Sequence, residues 1–313
     1  MVKYEDAFQV FEKGDFLEAL KLSIDKIKQK EYSIKETPYV ECKLVIAAWL
    51  FLKNSKVEAY REVLTLMKLG IVNEEILNFF MFMLGYNQRA VDVPLIIGLG
   101  SGRSGSTSLT VALTDIENSY FSHEHPVYIP WAGGEALVDW HLDRLLALGK
   151  HYSVVGDVAH WWLPYVEYII QRHPKTIFIA TKRERESTIR SFIKIKGGGR
   201  KGTINHWSEH DGSYFKKNIW DSCYPSYSAD LSINDSLLRY WDDYYSECAR
   251  LKEKYSKNFL ILDITDSTKD VVLKNFVEYF IGPIGKKMSF GHKNVETALE
   301  GFDLIPTPNT FLL

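Results

Sequence analysis

The chain has 313 residues, with 38 basic and 40 acidic side chains and a formal net charge of -2 at pH 7. A hydrophobic share of 46% with 25% charged residues is typical of a folded globular chain and argues against disorder, collagen or a coiled coil. The nearly neutral balance excludes a polybasic binding strategy, so we expect no nucleic-acid partner. Any anion must therefore be held by a local site.

The cysteines and the apolar runs indicate where the protein works. Cys42, Cys223 and Cys248 are too few and too scattered for a disulfide framework or a zinc site, so we interpret them as reduced thiols and expect no metal. The longest apolar run, Leu44 to Leu52, has nine residues, about half of a membrane span. The first residues lack the apolar stretch of a signal peptide. We expect a cytoplasmic protein with no membrane span.

Residues 4–84 carry apolar side chains at helical spacing, which predicts four or five helices. The phrase FEKGDFLEALKLS resembles one tetratricopeptide-type helical hairpin. A second copy is missing at the repeat spacing, so a repeat array is not expected. We predict a helical domain over residues 1–90. It is either a cap on the next domain or a surface for a protein partner or for self-association.

Short apolar runs alternate with helical stretches after Asp92, which predicts an α/β domain with a parallel sheet over residues 91–313. In chain order, the predicted strands are 94–99, 120–122, 152–156, 176–181 and 258–263, and the predicted helices are 106–116, 161–172, 185–196 and 268–281. A long segment from Lys196 to Asn234, rich in Gly, Ser, His and aromatic residues, is typical of a functional lid.

A glycine-rich loop from Gly98 to Gly105 joins the first predicted strand to its helix. Glycines let backbone amides turn inward, and the start of the helix adds unpaired amides and a positive dipole end, so the loop suits a phosphate-like anion. Its glycine spacing is that of the nucleotide-triphosphatase loop, but Ser106 stands where that loop has its lysine. Arg103 supplies a cation inside the loop instead.

Two motifs resemble the PAPS-dependent sulfotransferase family, where PAPS is 3'-phosphoadenosine 5'-phosphosulfate. GSGRSGSTSL is similar to the family's 5'-phosphosulfate loop, and TIFIATKRERESTIRSF, with Arg183 and Ser191 eight residues apart, is similar to its 3'-phosphate segment. The resemblance covers about residues 92–282, and its spacing is nearest to the tyrosylprotein and glycan branch. It implies a P-loop-like sulfotransferase fold, PAPS as co-substrate, adenosine 3',5'-bisphosphate as product and no metal.

The resemblance also implies the residues that bind the donor. The loop residues expected at the 5'-phosphosulfate are Gly102, Arg103, Ser104, Gly105, Ser106, Thr107 and Ser108. Arg183 and Ser191 would bind the 3'-phosphate, and Arg103 would also stabilise the leaving oxygen. Arg200 and Lys201 match a family phosphate contact that belongs nearer the C-terminus, so they are either a donor contact or a basic flexible loop. For Lys182 and Arg190, a donor contact and a position on the solvated start of the helix are both left as alternatives.

A general base is expected after the second strand, where this chain reads SYFSHEHP. Glu124, 21 residues after Arg103, is the first choice, and His123 or His125 is either the true base or its partner. The family often has a lysine after the third strand. This chain has Asp157 or Val158 there, with His160 as a possible substitute.

Aromatic residues near these motifs are candidates for the acceptor pocket. Of Trp161 and Trp162 we expect one in the core and the other stacked on the acceptor or on adenine. The candidate lid residues are His206, Trp207, His210, Trp220 and Tyr224.

The residues favour a sulfotransferase that acts on a hydroxyl acceptor: a glycan, a tyrosine or phenol, or a small metabolite. A P-loop kinase or NTPase with a displaced cation is an alternative, with Asp263 as its only plausible metal ligand. A catalytically inactive nucleotide-binding scaffold, working through its N-terminal helices, is another.

Overall fold

The structure is a computed structural model. It describes residues 92–125, 128–149, 151–197, 205–209, 221–285 and 288–290, together with single positions between 43 and 66. The chain divides into two compact units, one of residues 90–299 and one of residues 1–89 with 300–313. Most of the predicted helical domain lies outside the described residues and stays a prediction. Lys43 and Glu62, which are both helical, form an ion pair there.

A five-stranded parallel sheet forms the centre of the larger unit. Its strands are β1 (Leu95–Leu99), β2 (Ser119–His123), β3 (Val154–Val158), β4 (Ile177–Lys182) and β5 (Phe259–Asp263). They lie in the order β2-β3-β1-β4-β5. All residues of β1 and β3 are buried, as expected for parallel strands that are covered on both faces.

Helices flank this sheet. The α-helices are α1 (Ser106–Thr114), α2 (Glu135–Leu148), α3 (Val166–Arg172), α4 (Arg185–Phe192), α5 (Ile233–Lys254) and α6 (Lys269–Ile281). Short 3-10 helices cover His160–Tyr165 and Asp221–Cys223, and a π-helical turn covers Ile193–Gly197. The α/β prediction is confirmed as a parallel sheet flanked by helices. None of the helices in the described part has the length and apolar character needed to cross a bilayer.

The predicted elements differ from the observed ones in three ways. β3 begins two residues later than predicted, and the predicted helix 161–172 is a 3-10 helix that continues into α3. The helices α2 and α5 were not predicted. The N-terminus of α5 is capped by Ser232, whose side chain accepts a hydrogen bond from the amide of Asp235.

The sheet order creates a crevice between β1 and β4. β1 continues through α1 to β2 on one side of the sheet, whereas β4 continues to β5 on the other side. In open parallel sheets, ligands bind outside the carboxyl ends of strands at such a reversal. The glycine-rich loop follows β1 and the segment with Arg183 and Ser191 follows β4, so both predicted donor motifs lie at this crevice.

Candidate functional site

The loop between β1 and α1 turns through three left-handed residues. Gly102 has φ 83°, Arg103 φ 54° and Gly105 φ 98°. Only Arg103 of these three has a side chain to strain, and strained backbone is typical of functional sites. Ser101 and Ser104 are fully buried, so their hydroxyls hold the loop rather than face a ligand.

The loop is fastened to β4 and α5. The amide of Gly100 donates a 2.9 Å hydrogen bond to Oη of Tyr244, and Oγ of Ser104 lies 3.2 Å from Oγ1 of Thr181. A Cβ atom at Gly100 would lie 2.5 Å from the hydroxyl oxygens of Ser104 and Thr181, so this position requires glycine. These partners fix the loop before any ligand binds.

The two predicted donor motifs meet at Arg103. Its Nε donates a 3.1 Å hydrogen bond to Oγ of Ser191, which lies on α4. Burial and the positive charge of Arg183 lower the pKa of Arg103, while Glu124 and Tyr224 act in the opposite direction. Arg103, Arg183 and Ser191 therefore gather around one place, where two like charges repel each other. An anion bound there would relieve this repulsion.

His123 and Ser106 connect the end of β2 to the start of α1. Nε2 of His123 lies 3.0 Å from Oγ of Ser106. A predicted base candidate thus contacts a predicted 5'-phosphate ligand. In this position His123 orients the loop hydroxyl, since a hydrogen bond fixes which way the hydroxyl points.

Glu124 is held in an unusual conformation directly after β2. Its φ is 50°, and its amide donates a 2.9 Å hydrogen bond to the carbonyl of Val158 at the end of the neighbouring strand. Its side chain is 28% exposed, and Oε1 lies 3.7 Å from Nδ1 of the fully buried His160. The carboxylate can therefore reach a ligand while it contacts a histidine on its other side.

The hydrogen bond of Nε2 of His160 determines the role of its Nδ1. Nε2 lies 3.1 Å from the carbonyl oxygen of Cys223, and a carbonyl only accepts, so Nε2 carries a hydrogen. Nδ1 then faces the carboxylate of Glu124. A proton on Nδ1 turns this contact into an ion pair.

The negative charge of Glu124 acts on two tyrosines, Tyr128 and Tyr224. Tyr224 stacks on His160 with ring centroids 4.3 Å apart. Burial and the negative charge of Glu124 raise the pKa of Tyr128 to about 12, and the same two causes raise the pKa of Tyr224. Both phenols therefore remain neutral at physiological pH and can donate hydrogen bonds to a ligand or to the carboxylate.

His125 and the tryptophan pair do not face the crevice. His125 is 4% exposed and contacts His141 edge-on at 5.9 Å. Its burial favours Glu124 over His125 as the base. Trp161 and Trp162 are both fully buried, so the prediction that one of them stacks on a ligand is wrong. Nε1 of Trp162 instead donates a 2.7 Å hydrogen bond to Asp157.

Asp157 belongs to a buried polar cluster in the sheet. Oδ1 accepts a 2.5 Å hydrogen bond from Ser122, and Nη2 of the buried Arg144 donates to the same serine at 3.3 Å. Burial raises the pKa of Asp157, although the charge of Arg144 opposes this shift. Asp157 therefore holds β2, β3 and α2 together, and His160 occupies the place beside the crevice.

The predicted lid is packed where the structure describes it. His206, Trp207 and Tyr224 are between 1% and 6% exposed. Trp207 packs edge-on against Phe192 at the end of α4, at a centroid distance of 5.5 Å. These three candidate lid residues are therefore packed inside the protein, and their role at an acceptor stays a prediction. His210, Trp220, Arg200 and Lys201 lie outside the described residues.

Sequence reasoning missed three residues that hold the loop: Thr181, Tyr244 and Tyr245. Oη of Tyr245 lies 3.3 Å from Oγ of Ser101 and donates a 2.7 Å hydrogen bond to the carbonyl of Thr181. The only signal for Thr181 was its place at the end of a predicted strand. Tyr244 and Tyr245 lie on α5, and because this helix was not predicted, the sequence offered no signal for them.

No known family model matches the chain, and no curated protein matches it significantly. Across the residues that the structure describes, no group of three or more His, Cys, Asp and Glu side chains is placed to hold a metal ion.

Proposed function

We propose that the protein is a PAPS-dependent sulfotransferase that transfers a sulfuryl group to a hydroxyl acceptor. The observation that carries this proposal is the hydrogen bond from Arg103 to Ser191, two residues 88 positions apart in the chain. Each was singled out for a different phosphate of the same donor. Their contact at one crevice, next to Arg183, supports a donor that carries both phosphate groups on a single ribose.

Donor binding would divide between the two motifs. The backbone of residues 102–105 and the hydroxyls at the start of α1 would hold the 5'-phosphosulfate, since a helix N-terminus and left-handed loop residues attract anions. The guanidinium of Arg183 and the hydroxyl of Ser191 would hold the 3'-phosphate. Before the donor binds, Ser191 accepts a hydrogen bond from Arg103.

The reaction would be an in-line displacement at sulfur. The acceptor oxygen forms a bond to sulfur while the bond from sulfur to the bridging phosphate oxygen breaks. The electron pair of that bond leaves with adenosine 3',5'-bisphosphate, and Arg103 stabilises the charge that develops there. Glu124 accepts the proton of the acceptor hydroxyl, and His160 contacts the carboxylate that receives it.

The geometry favours sulfuryl transfer over the kinase alternative. Ser106 replaces the lysine that a nucleotide triphosphatase places on the β- and γ-phosphates. Asp263, the candidate metal ligand of that alternative, ends the edge strand β5, which pairs with β4 and not with β1. Its Oδ1 already accepts hydrogen bonds from the amide and hydroxyl of Thr265.

Isothermal titration with adenosine 3',5'-bisphosphate tests the proposal. We expect one molecule to bind per chain, and we expect labelled sulfate to pass from PAPS to at least one acceptor in a panel of glycans and phenols. Mg-ATP hydrolysis without bisphosphate binding would support the kinase instead. Bisphosphate binding with no transfer to any acceptor would support an inactive scaffold.

A further inference from the structure

A cavity lies against α5. Its volume is about 310 Å³, within the roughly 300–1,000 Å³ of small-molecule sites. It is lined by the 3-10 helix after β3, residues 225–227 and α5, with Trp131 at one side. Arg103, Arg183 and Ser191 are absent from its described lining, so it is separate from the anion crevice.

Aromatic rings form much of the cavity wall. Trp131 lies 6.1 Å from Tyr240 and 6.2 Å from Tyr244, measured between ring centroids, and Tyr227 also lines the cavity. The face of an aromatic ring is electron-rich and attracts weakly positive C–H groups. This wall therefore suits a ligand with a face of C–H groups, such as a sugar ring.

The hydroxyl of Tyr240 has no hydrogen-bond partner among the described residues. The whole residue is 1% exposed. That hydroxyl oxygen is enclosed by protein and has no surface open to the cavity, so Tyr240 offers only its ring to a ligand.

Two carboxylates of α5, Asp243 and Glu247, add acceptors to the lining. Asp243 accepts a 2.9 Å hydrogen bond from Tyr227, and Glu247 accepts hydrogen bonds from Arg250. Each carboxylate oxygen has two lone pairs, so both groups can accept further hydrogen bonds. A ligand with several hydroxyls along one edge would match them.

The charges of these carboxylates are already balanced. Oδ2 of Asp243 lies 3.7 Å from Nε of Arg239, and Oε1 of Glu247 lies 2.6 Å from Nη2 of Arg250. A cationic ligand would have to compete with both arginines, whereas a neutral hydroxyl would not. We propose that this cavity binds a neutral glycosyl unit, with its C–H face on Trp131 and its hydroxyls toward Asp243 and Glu247.

The proposal does not depend on sulfuryl transfer, because it needs neither donor nor reaction. Tyr244 links the two places: it lines the cavity, and its Oη accepts from the amide of Gly100 and donates to the carbonyl of His160. A sugar in the cavity would therefore sit behind the side chain that fastens the glycine-rich loop.

Isothermal titration of the full chain with maltose, cellobiose, lactose and N,N'-diacetylchitobiose tests this site. We expect at least one of these sugars to bind, with Trp131→Ala weakening binding by about tenfold or more and Trp131→Phe keeping most of it. Asp243→Asn should weaken binding less than Trp131→Ala. Tyr279→Ala, at a side chain that is 72% exposed on α6, is the matched control and should change nothing.

Thermal unfolding of each variant separates lost binding from lost folding. Adenosine 3',5'-bisphosphate at saturation should leave sugar binding intact, and competition between the two would overturn the assignment to a separate cavity. Three other outcomes would also overturn it: no sugar binds to the folded protein, tetramethylammonium binds in place of sugars, or Trp131→Ala binds as well as the unchanged protein.

Discussion

Nδ1 of His160 lies 3.7 Å from Oε1 of Glu124, and the two residues follow neighbouring parallel strands. The contact exists because β2 pairs with β3, which brings both carboxyl ends to one edge of the sheet. The carboxylate of Glu124 is therefore partly exposed and also contacts a buried histidine. Glu124 and His160 should therefore act as one unit.

Glu124→Gln should lower the turnover of sulfuryl transfer by roughly 10²–10⁴-fold, because the amide cannot accept the acceptor proton. Titration with adenosine 3',5'-bisphosphate should show unchanged donor-product binding. His160→Asn should lower turnover less, and it should have little additional effect in the Glu124→Gln background. Additive losses in the double variant would show that His160 acts independently of Glu124.

Arg183→Ala should weaken binding of adenosine 3',5'-bisphosphate by about 1.5–3 kcal/mol, the contribution of a hydrogen bond to a charged group. This corresponds to roughly a 10- to 150-fold rise in Kd. Ser191→Ala removes a single hydrogen bond to the same charged phosphate and should raise Kd by roughly 10-fold, at the lower end of that range.

Arg250→Ala is the matched control for the arginine change. Arg250 pairs with Glu167 and Glu247, away from the loop, so its loss should leave Kd unchanged. Equal effects of Arg183→Ala and Arg250→Ala, measured by titration calorimetry, would contradict a specific 3'-phosphate contact.

Gly100→Ala should destabilise the protein by about 1–3 kcal/mol, because the new methyl group overlaps Ser104 and Thr181 at 2.5 Å. It should also abolish binding of adenosine 3',5'-bisphosphate, since the loop must move to make room. Gly285→Ala is the control, because a Cβ at Gly285 meets no heavy atom within 4 Å. Urea unfolding measures the stability of the two variants, and titration calorimetry measures their binding of adenosine 3',5'-bisphosphate. A Gly100→Ala variant that is stable and binds normally would show that the loop is pliable.

Asp157→Asn should change how stability depends on pH. Burial raises the pKa of Asp157 above 3.8, so its ionisation opposes folding as pH rises past that value. The asparagine cannot ionise. The free energy of unfolding of the variant, relative to the unchanged protein, should therefore increase as pH rises from about 4 to about 7.

Asp266→Asn should change the pH dependence of stability in the opposite direction. Hydrogen bonds from the amide and then the hydroxyl of Thr268 lower the pKa of Asp266, so its carboxylate stabilises the fold above its unfolded pKa and loses this effect as pH falls. The relative stability of Asp266→Asn should decrease as pH rises. Chemical unfolding at several pH values measures both variants, and parallel trends would refute the role of burial at Asp157.

β1, β4 and β5 were predictable because each contains at least three consecutive strongly apolar residues between polar or glycine-containing segments. β2 has the sequence SYFSH, and only its central residues 120–122 were predicted. The glycine-rich loop was predictable because its residue types suit few other conformations. Helix α5 was missed because its buried face consists largely of tyrosines, with Cys248, and fewer aliphatic residues.

Contacts that depend on strand order could not be predicted from the motifs. The pairing of β2 with β3 brings Glu124 to His160, and a linear reading of the chain does not determine which strands are neighbours. The prediction that one tryptophan of the pair stacks on a ligand was wrong for a different reason. Trp161 and Trp162 lie in a 3-10 helix in which His160, Leu163 and Tyr165 are buried as well, so the protein encloses this helix on more than one face and both rings are in the core.

The glycine-rich loop has consequences for how the protein is made on the ribosome. Its fastening partners come much later in the chain: Thr181 is 77 positions after Ser104, and Tyr244 is 144 positions after Gly100. The loop is synthesised early but cannot be locked until α5 has emerged. A nascent chain that stops before Tyr244 carries both donor motifs and still lacks the side chain that holds Gly100 in place.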